Sequence, residues 1–160
     1  RALVLEPVDV GEVVHDVCRQ ARILAPARSI LCDVGDGGLA AANADALKQV
    51  LLILVDNAIK YADGPIQVTL SAGDAEVGIC VTDEGPGIPP AMKTRLFDRF
   101  HRGDVSRSTP GFGLGLAIAR SLVEAQHGRI AVESDVGQGS TFTVWLPAAR
   151  RSHEPMARQR

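Results

Sequence analysis

Asn57, Asp83 and the alternating glycines at 111, 113 and 115 are the residues of this chain whose types and spacing suit chemistry. They belong to segments in a fixed order: DNAIKY at 56–61, DEGPGI at 83–88, FDRFHR at 97–102 and GFGLGL at 111–116. At about 100° per residue, Ile53, Lys60 and Tyr61 fall within roughly a third of a turn of Asn57 and share its helix face. An asparagine set among Val50, Ile53, Leu54 and Ala58 costs about 1–3 kcal/mol if buried without a partner. Its carbonyl oxygen suits a hard cation such as Mg²⁺, which takes oxygen ligands and keeps several waters. Lys60, one turn along, is placed to meet a phosphate. The competing reading is an amide bonded to backbone inside the core, and Asn57 alone leaves both open.

Asp83 ends an apolar strand and opens DEGPGI, where Gly85 and Gly87 permit a tight turn and the close approach of a ligand. A carboxylate at such a rim can accept a hydrogen bond from an exocyclic amine, a charge-assisted contact contributing about 1.5–3 kcal/mol. The plainer reading is a turn with a solvated aspartate. GFGLGL opens a helix whose backbone N–H groups and positive end can face an anion. A dinucleotide fingerprint of the GxGxxG kind fails here, because Leu116 stands where the last glycine belongs and residues 103–110 are too polar for the strand it requires. No GKS or GKT occurs, which excludes a Walker-type phosphate loop. In FDRFHR, Phe97 and Phe100 lie at packing distance along a helix, whereas Arg102 adjoins the polar stretch and can reach a phosphate. GQGSTF at 137–142 reads as a hairpin turn unless its hydroxyls reach a ligand. His15, His101, His127 and His153 form no metal constellation, and His15 reads as a solvent-facing helix residue.

The elements that must position these groups follow from periodicity. Residues 10–24 and 44–61 carry helical spacing, the second with Asn43 or Asp45 as candidate N-cap. Residues 29–34 read as a strand and 35–38 as a turn. Ile66, Val68 and Leu70 alternate, as do Val77, Ile79 and Val81 after a turn near Gly73 and Asp74, giving a hairpin with one covered face. Pro89 and Pro90 begin a short helix reaching Leu96, and residues 103–110 read as a mobile loop. A helix over 114–126 ends before Gly128. Ile130 and Val132, then Phe142, Val144 and Leu146, make a second hairpin turned near 137–139. The order predicts a two-layer α/β sandwich with a mixed sheet, occupying residues 1–147, with a polar, basic and disordered tail over 148–160.

Composition sets bounds on partners. The chain has 160 residues, 46% apolar and 22% charged, with net charge −2, which suits one globular domain and supplies no electrostatic argument for nucleic acid or membrane. With 4% aromatic residues there is no stacking platform for bases along a strand. Cys18, Cys32 and Cys80 are odd in number and unpaired in sequence, so they read as small core residues in a reducing compartment. No signal-peptide pattern is present, and a chain opening at Arg1 rather than Met is expected to be excised from a longer one.

Taken together, the ordered segments resemble the catalytic, ATP-binding domain of bacterial two-component sensor histidine kinases, of the GHKL superfamily shared with gyrase and the Hsp90 chaperones. DNAIKY resembles the asparagine box, DEGPGI the first glycine box, FDRFHR the phenylalanine box, GFGLGL the second glycine box and GQGSTF the last one. The resemblance implies the Bergerat fold, a mixed, mostly antiparallel sheet covered on one face by about three helices. It implies ATP and Mg²⁺ as ligands, with Asn57 holding the metal, Lys60 and Arg102 contacting phosphates, Tyr61 lying against adenine and Asp83 receiving its amino group. Gly85, Gly87, Ile88 and Thr141 would also contact the nucleotide. Gly111, Gly113, Leu114, Gly115 and Leu116 would cradle the phosphates, with residues 103–112 as lid.

The reaction so implied passes the γ-phosphoryl group to a histidine on a separate dimerisation domain of the same parent, and then to a response-regulator receiver domain. The fragment itself would carry no acceptor and touch neither nucleic acid nor membrane, as the cytoplasmic part of a membrane-anchored sensor. One departure is visible: many members have an asparagine four residues before Asn57, where this chain has Ile53. Two further readings follow, a degenerate ATP-sensing or partner-binding module and a serine kinase of the anti-sigma-factor type.

Overall fold

The computed structural model describes residues 2–98 and 114–150. Asp9 starts the helix layer: its carboxylate accepts the Glu12 N–H at 3.2 Å and caps α1 (Val10–Leu24), which follows β1 (Glu6–Asp9) directly. After α1 come β2 (Ile30–Asp33), β3 (Leu39–Ala42) and the long α2 (Ala44–Tyr61). Then follow β4 (Ile66–Ala72), β5 (Glu76–Asp83), the short α3 (Pro90–Lys93), α4 (Leu114–Ala125), β6 (Arg129–Ser134) and β7 (Ser140–Pro147).

The main sheet has the strand order β2-β4-β5-β7-β6. Its β2–β4 pair is parallel and the remaining pairs are antiparallel. A parallel neighbour needs a crossover, here supplied by β3 and α2. Alternation sends Ile66, Val68, Val77, Ile79, Val81, Phe142, Val144 and Leu146 to the helix side, where all are buried, while Thr82, Thr141 and Thr143 line the open face. On that open face Arg129 stacks over Trp145 at 3.9 Å from the ring centroid and pairs with Glu76 at 3.0 Å. The sandwich with a mixed sheet is therefore as the pattern predicts.

Two elements escape periodicity. β1 and β3 form a separate antiparallel ribbon, with Glu6 opposite Ala42 and Asp9 opposite Leu39. The first two residues of the expected tail are paired: Ala148 donates its N–H to Ala75 O and Ala149 donates to Leu39 O, each at 2.9 Å. Residues 151–160 and the expected lid lie outside the described residues.

A buried glutamine joins the helices. Gln126, fully buried just past α4, donates Nε2 to Leu122 O at 2.9 Å and accepts the Asn43 N–H at 2.9 Å. Asn43 in turn caps α2 by accepting the Ala46 N–H at 3.0 Å. The α2 start thus hangs from the end of α4. The turn that follows is made by His127 at φ +63°, not by Gly128. Gly128 is required for another reason: a Cβ there would come within 2.3 Å of Trp145 O.

Replacing Gln126 by leucine keeps the volume and orphans the Asn43 N–H. The expected loss is about 1–3 kcal/mol, read as a lower urea midpoint at unchanged m-value.

Candidate nucleotide-binding site

At the ends of β5 and β7 nearest the C-terminus of α2 lies a cavity of about 240 Å³. Asn57 and Tyr61 come to it from α2, Asp83 from the end of β5 and Ser140 from the start of β7; Ile88, Met92 and Phe142 give it an apolar wall. Phe97 packs edge-on against Phe142, ring centroids 6.2 Å apart. A volume below the roughly 300–1,000 Å³ of whole small-molecule sites suits one flat ring system, with the rest of a larger ligand outside it. Larger hollows exist among the described residues along α1, across the open sheet face and between Phe97 and α4, but none of them is lined by Asn57, Asp83 or Ser140.

The loop after β5 is held by backbone contact rather than by a ligand. Gly87, at φ +80°, lies so close to the following hairpin that a Cβ would meet Asp135 O at 2.1 Å. Gly139, at φ +83°, approaches Asp83 O in the same way at 2.2 Å. Gly137 donates its N–H to Pro86 O at 2.7 Å. Ser134 ties the two loops together, because its Oγ accepts the Ile88 N–H at 2.8 Å and donates to Gly139 O at 2.9 Å. With its single proton so used, Ser134 receives the Ser140 hydroxyl at 2.9 Å. Ser140 Oγ is then left to offer its lone pairs as an acceptor.

The polar groups of the cavity are oriented. Asp83 Oδ1 accepts the Gly85 N–H at 2.9 Å, an Asx turn that fixes the carboxylate plane. Gly85 has no room for a side chain, since a Cβ would lie 2.6 Å from Ala62 Cβ. Asn57 is 8% exposed, and its Nδ2 is the buried side-chain polar atom left without a hydrogen-bond partner among the described residues. A buried polar group left unmet at a cavity is costly and calls for an explanation. The orphaned Nδ2 disfavours the alternative of an asparagine satisfied by core backbone.

The other candidates divide. Lys60 lies at the exposed surface of α2, paired with Asp56 at 2.9 Å, and that carboxylate holds the ammonium above its ordinary pKa. Exposed pairs of this kind contribute little, so the ammonium can exchange partners. Leu116 is fully buried in the core, in the first turn of α4. Ile53 fills the crossing of α2 with that turn: a Cβ on Gly115 would stand 3.6 Å from Ile53 Cγ2. Arg102, Gly111 and Gly113 lie outside the described residues, as does the side chain of Leu114.

Thr141 requires a correction. It points to the open face of the sheet, its Oγ1 3.3 Å from Thr82 Oγ1, and does not line the cavity. Ser140, one residue earlier, does. The signal is present in the sequence: period two puts residue 140 on the side of Phe142, Val144 and Leu146, and residue 141 on the other.

A helix-covered mixed sheet, opened at its strand ends into a ring-sized cavity with an amide and a fixed carboxylate, defines a nucleotide-binding α/β sandwich. A profile of the family described as histidine kinase-, DNA gyrase B-, and HSP90-like ATPase matches residues 42–150, and the chain belongs to that family. Within it the resemblance is to catalytic domains of sensor histidine kinases. The sensor histidine kinase AruS of Pseudomonas aeruginosa is 49% identical over 114 residues, covering 66% of this chain and 11% of that protein. The adaptive-response sensory kinase SasA of Synechococcus elongatus is 36% identical over 156 residues, 94% of this chain and 39% of that one. Among solved structures, the mycobacterial sensor histidine kinase MprB superposes with a TM-score of 0.79 at 29% identity, over 92% of this chain and 100% of that one. Full-length ShkA in complex with AMPPNP superposes with a TM-score of 0.81 at 31% identity, over 95% of this chain and 33% of that one. The chain thus spans well under half the length of the curated relatives named.

The two neighbouring hydroxyls give a sharp test. Ser140→Ala removes an acceptor beside the cavity and should weaken adenine-nucleotide binding about two- to tenfold, the weight of one hydrogen bond of roughly 0.5–1.5 kcal/mol. Thr141→Ala should leave binding unchanged in the same titration calorimetry.

Proposed function

We propose that this domain binds Mg·ATP and donates its γ-phosphoryl group to a histidine on a dimerisation domain of the same parent protein, in a two-component pathway. The observation that carries the reading is the buried, unpartnered Nδ2 of Asn57, a donor that a phosphate or water oxygen can meet, at a cavity that also holds the fixed Asp83 carboxylate. Adenine enters the apolar part between Ile88, Met92 and Phe142. Its exocyclic amine donates to Asp83 Oδ2, the oxygen not engaged by Gly85, and Ser140 accepts a second donor or an ordered water.

The triphosphate then extends along the last turn of α2 toward the first turn of α4, whose positive end favours anions. Lys60 exchanges Asp56 for a phosphate oxygen, and Arg102 with the backbone of Gly111, Gly113, Leu114, Gly115 and Leu116 completes the phosphate contacts. Asn57 fits a cation that arrives with the phosphates, because one amide oxygen beside phosphate oxygens and waters is a sufficient share of a Mg²⁺ shell. When bound, that ion would neutralise charge on the phosphates. Among the described residues no three His, Cys, Asp or Glu side chains converge into a cage that would hold a metal without nucleotide.

Transfer needs little covalent chemistry from the domain itself, since positioning and charge stabilisation dominate phosphoryl transfer. The acceptor imidazole nitrogen forms the new P–N bond as the bond to the β-phosphate oxygen breaks and ADP leaves. Ile53 supports the kinase over an ATPase: an aliphatic side chain one turn before Asn57 cannot take a proton from water. A response-regulator receiver is the onward partner. Among the described residues no helix is long and apolar enough to cross a membrane; the cytoplasmic, membrane-anchored arrangement of the parent belongs to this proposal.

Mixing the domain with radiolabelled Mg·ATP and a separately prepared acceptor hairpin should label the hairpin alone. Label on this domain without the hairpin would overturn the assignment. Nucleotide at about 100 times its Kd should stabilise the fold by roughly 2.7 kcal/mol, and no thermal shift at millimolar Mg·ATP would instead point to a degenerate sensing module. Asn57→Asp should cripple metal-dependent binding by setting a negative charge against the phosphates, and Asp83→Asn should weaken adenine recognition by about tenfold or more. Ile53→Asn is expected to tighten Mg·ATP binding by adding an amide beside Asn57, checked by calorimetry with and without chelator.

A further inference from the structure

Cys18 and Cys32, carried by different elements, meet across the helix–sheet boundary. Cys18 sits on the buried face of α1, and Cys32 lies in β2, in register with Val68 on the helix side of the sheet. The two residues are neighbours where α1 packs on β2, Cys32 lying against the core cluster that contains Cys18. His15, one turn before Cys18, brings Nδ1 to 3.5 Å from Cys32 Sγ. Cys18 is fully buried, whereas Cys32 is half-buried and His15 exposed, so only one thiol of the pair can be reached from solvent. Arg22, held by two hydrogen bonds to Ile30 O, adds a positive charge near Cys18. Cys80 is separate, on the open face with its Sγ 3.4 Å from Thr143 Oγ1.

We propose that Cys32 and Cys18 form a redox-responsive dithiol, with Cys32 attacking a hydroperoxide and Cys18 resolving the product into a Cys18–Cys32 disulfide. Partial exposure and an adjacent imidazole are surroundings that make Cys32 reactive. The Cys32 proton passes to His15 Nδ1, and the thiolate sulfur attacks one peroxide oxygen. The O–O bond breaks, and the alcohol or water leaves with the imidazolium proton, giving a sulfenic acid on Cys32. Cys18 sulfur then attacks that sulfur, the S–O bond breaks, and water departs with the Cys18 proton. Two thiols and one hydroperoxide yield one disulfide, one alcohol (or water) and one water.

The order of roles follows from burial. Burial and the neighbouring Cys32 push the Cys18 thiol up to about 12, which leaves the first attack to the half-buried Cys32. In a reducing compartment such a bond is transient, which is how a sensing thiol pair behaves. The link would tie α1 to the edge strand β2. This proposal is independent of the nucleotide reading.

The test uses the full chain, treated with hydrogen peroxide, blocked with an alkylating reagent and mapped by peptide mass spectrometry before and after dithiothreitol. The expected result is an intramolecular Cys18–Cys32 cross-linked peptide, a mass loss of two hydrogens, reversal by the reductant and an alkylated Cys80. In Cys18→Ser, dimedone should trap a sulfenic acid on Cys32, and in His15→Asn the rate of that trapping or of disulfide formation should fall at least about tenfold. Wild-type protein in which Cys18 and Cys32 are both still alkylated after peroxide, or are linked instead to Cys80 or to another copy, overturns the proposal whatever the variants do.

Discussion

The contact between the loop after β5 and the turn before β7 is the constraint from which the cavity takes its shape. Two backbone segments meet there with no side chain between them, because Gly87 faces Asp135 O and Gly139 faces Asp83 O at distances that exclude a Cβ. Ser134 closes the join by binding an N–H on one side and a carbonyl on the other. Asp83, Ile88 and Ser140 are all fixed by this one arrangement, so the base-sized cavity exists before any ligand enters it. Preorganisation of this kind lowers the ordering cost of binding. The glycines near Asp83 therefore serve the close approach of the protein's own backbone.

The helix layer makes the complementary contribution. α2 runs from an N-cap bonded to Gln126 to a C-terminal turn that carries Asn57 and Tyr61 to the cavity. Its apolar face is fully packed through Leu47, Val50, Leu51 and Leu54. Asn57 continues that buried face, so its orphaned amide is held in place by neighbours that cannot satisfy it. Packing stability and an unmet polar group thus sit on one helix, and the second is tolerated only because the first is large.

Legibility in the sequence tracks the strength of local signals. The α1 and α2 spans follow from apolar periodicity, and Asn43 is readable as a cap because short polar side chains at such positions satisfy orphan N–H groups. β1 and β3 are not readable: EPVD and LAAA are four residues each, lack the alternation of a half-buried strand, and gain their order only from each other. Asn57 and Asp83 are legible from residue type and position. Thr141 is misplaced unless parity is followed along β7, and Ser134 gives no sign at all, because its role arises from two loops separated by the whole of α4. The cysteines read as inert core residues for the same reason, since nothing local brings Cys18 beside Cys32.

The β1–β3 ribbon reaches across the molecule. β3 pairs with β1 on one side, and on the other it meets the chain just after β7, through a bridge between Ala40 and Ala148 and the Ala149 N–H bond to Leu39 O. The opposite end of β7 is Ser140, at the cavity. Backbone hydrogen bonds therefore run without a break from β1 through β3 to the chain just beyond β7, the strand whose other end lines the cavity.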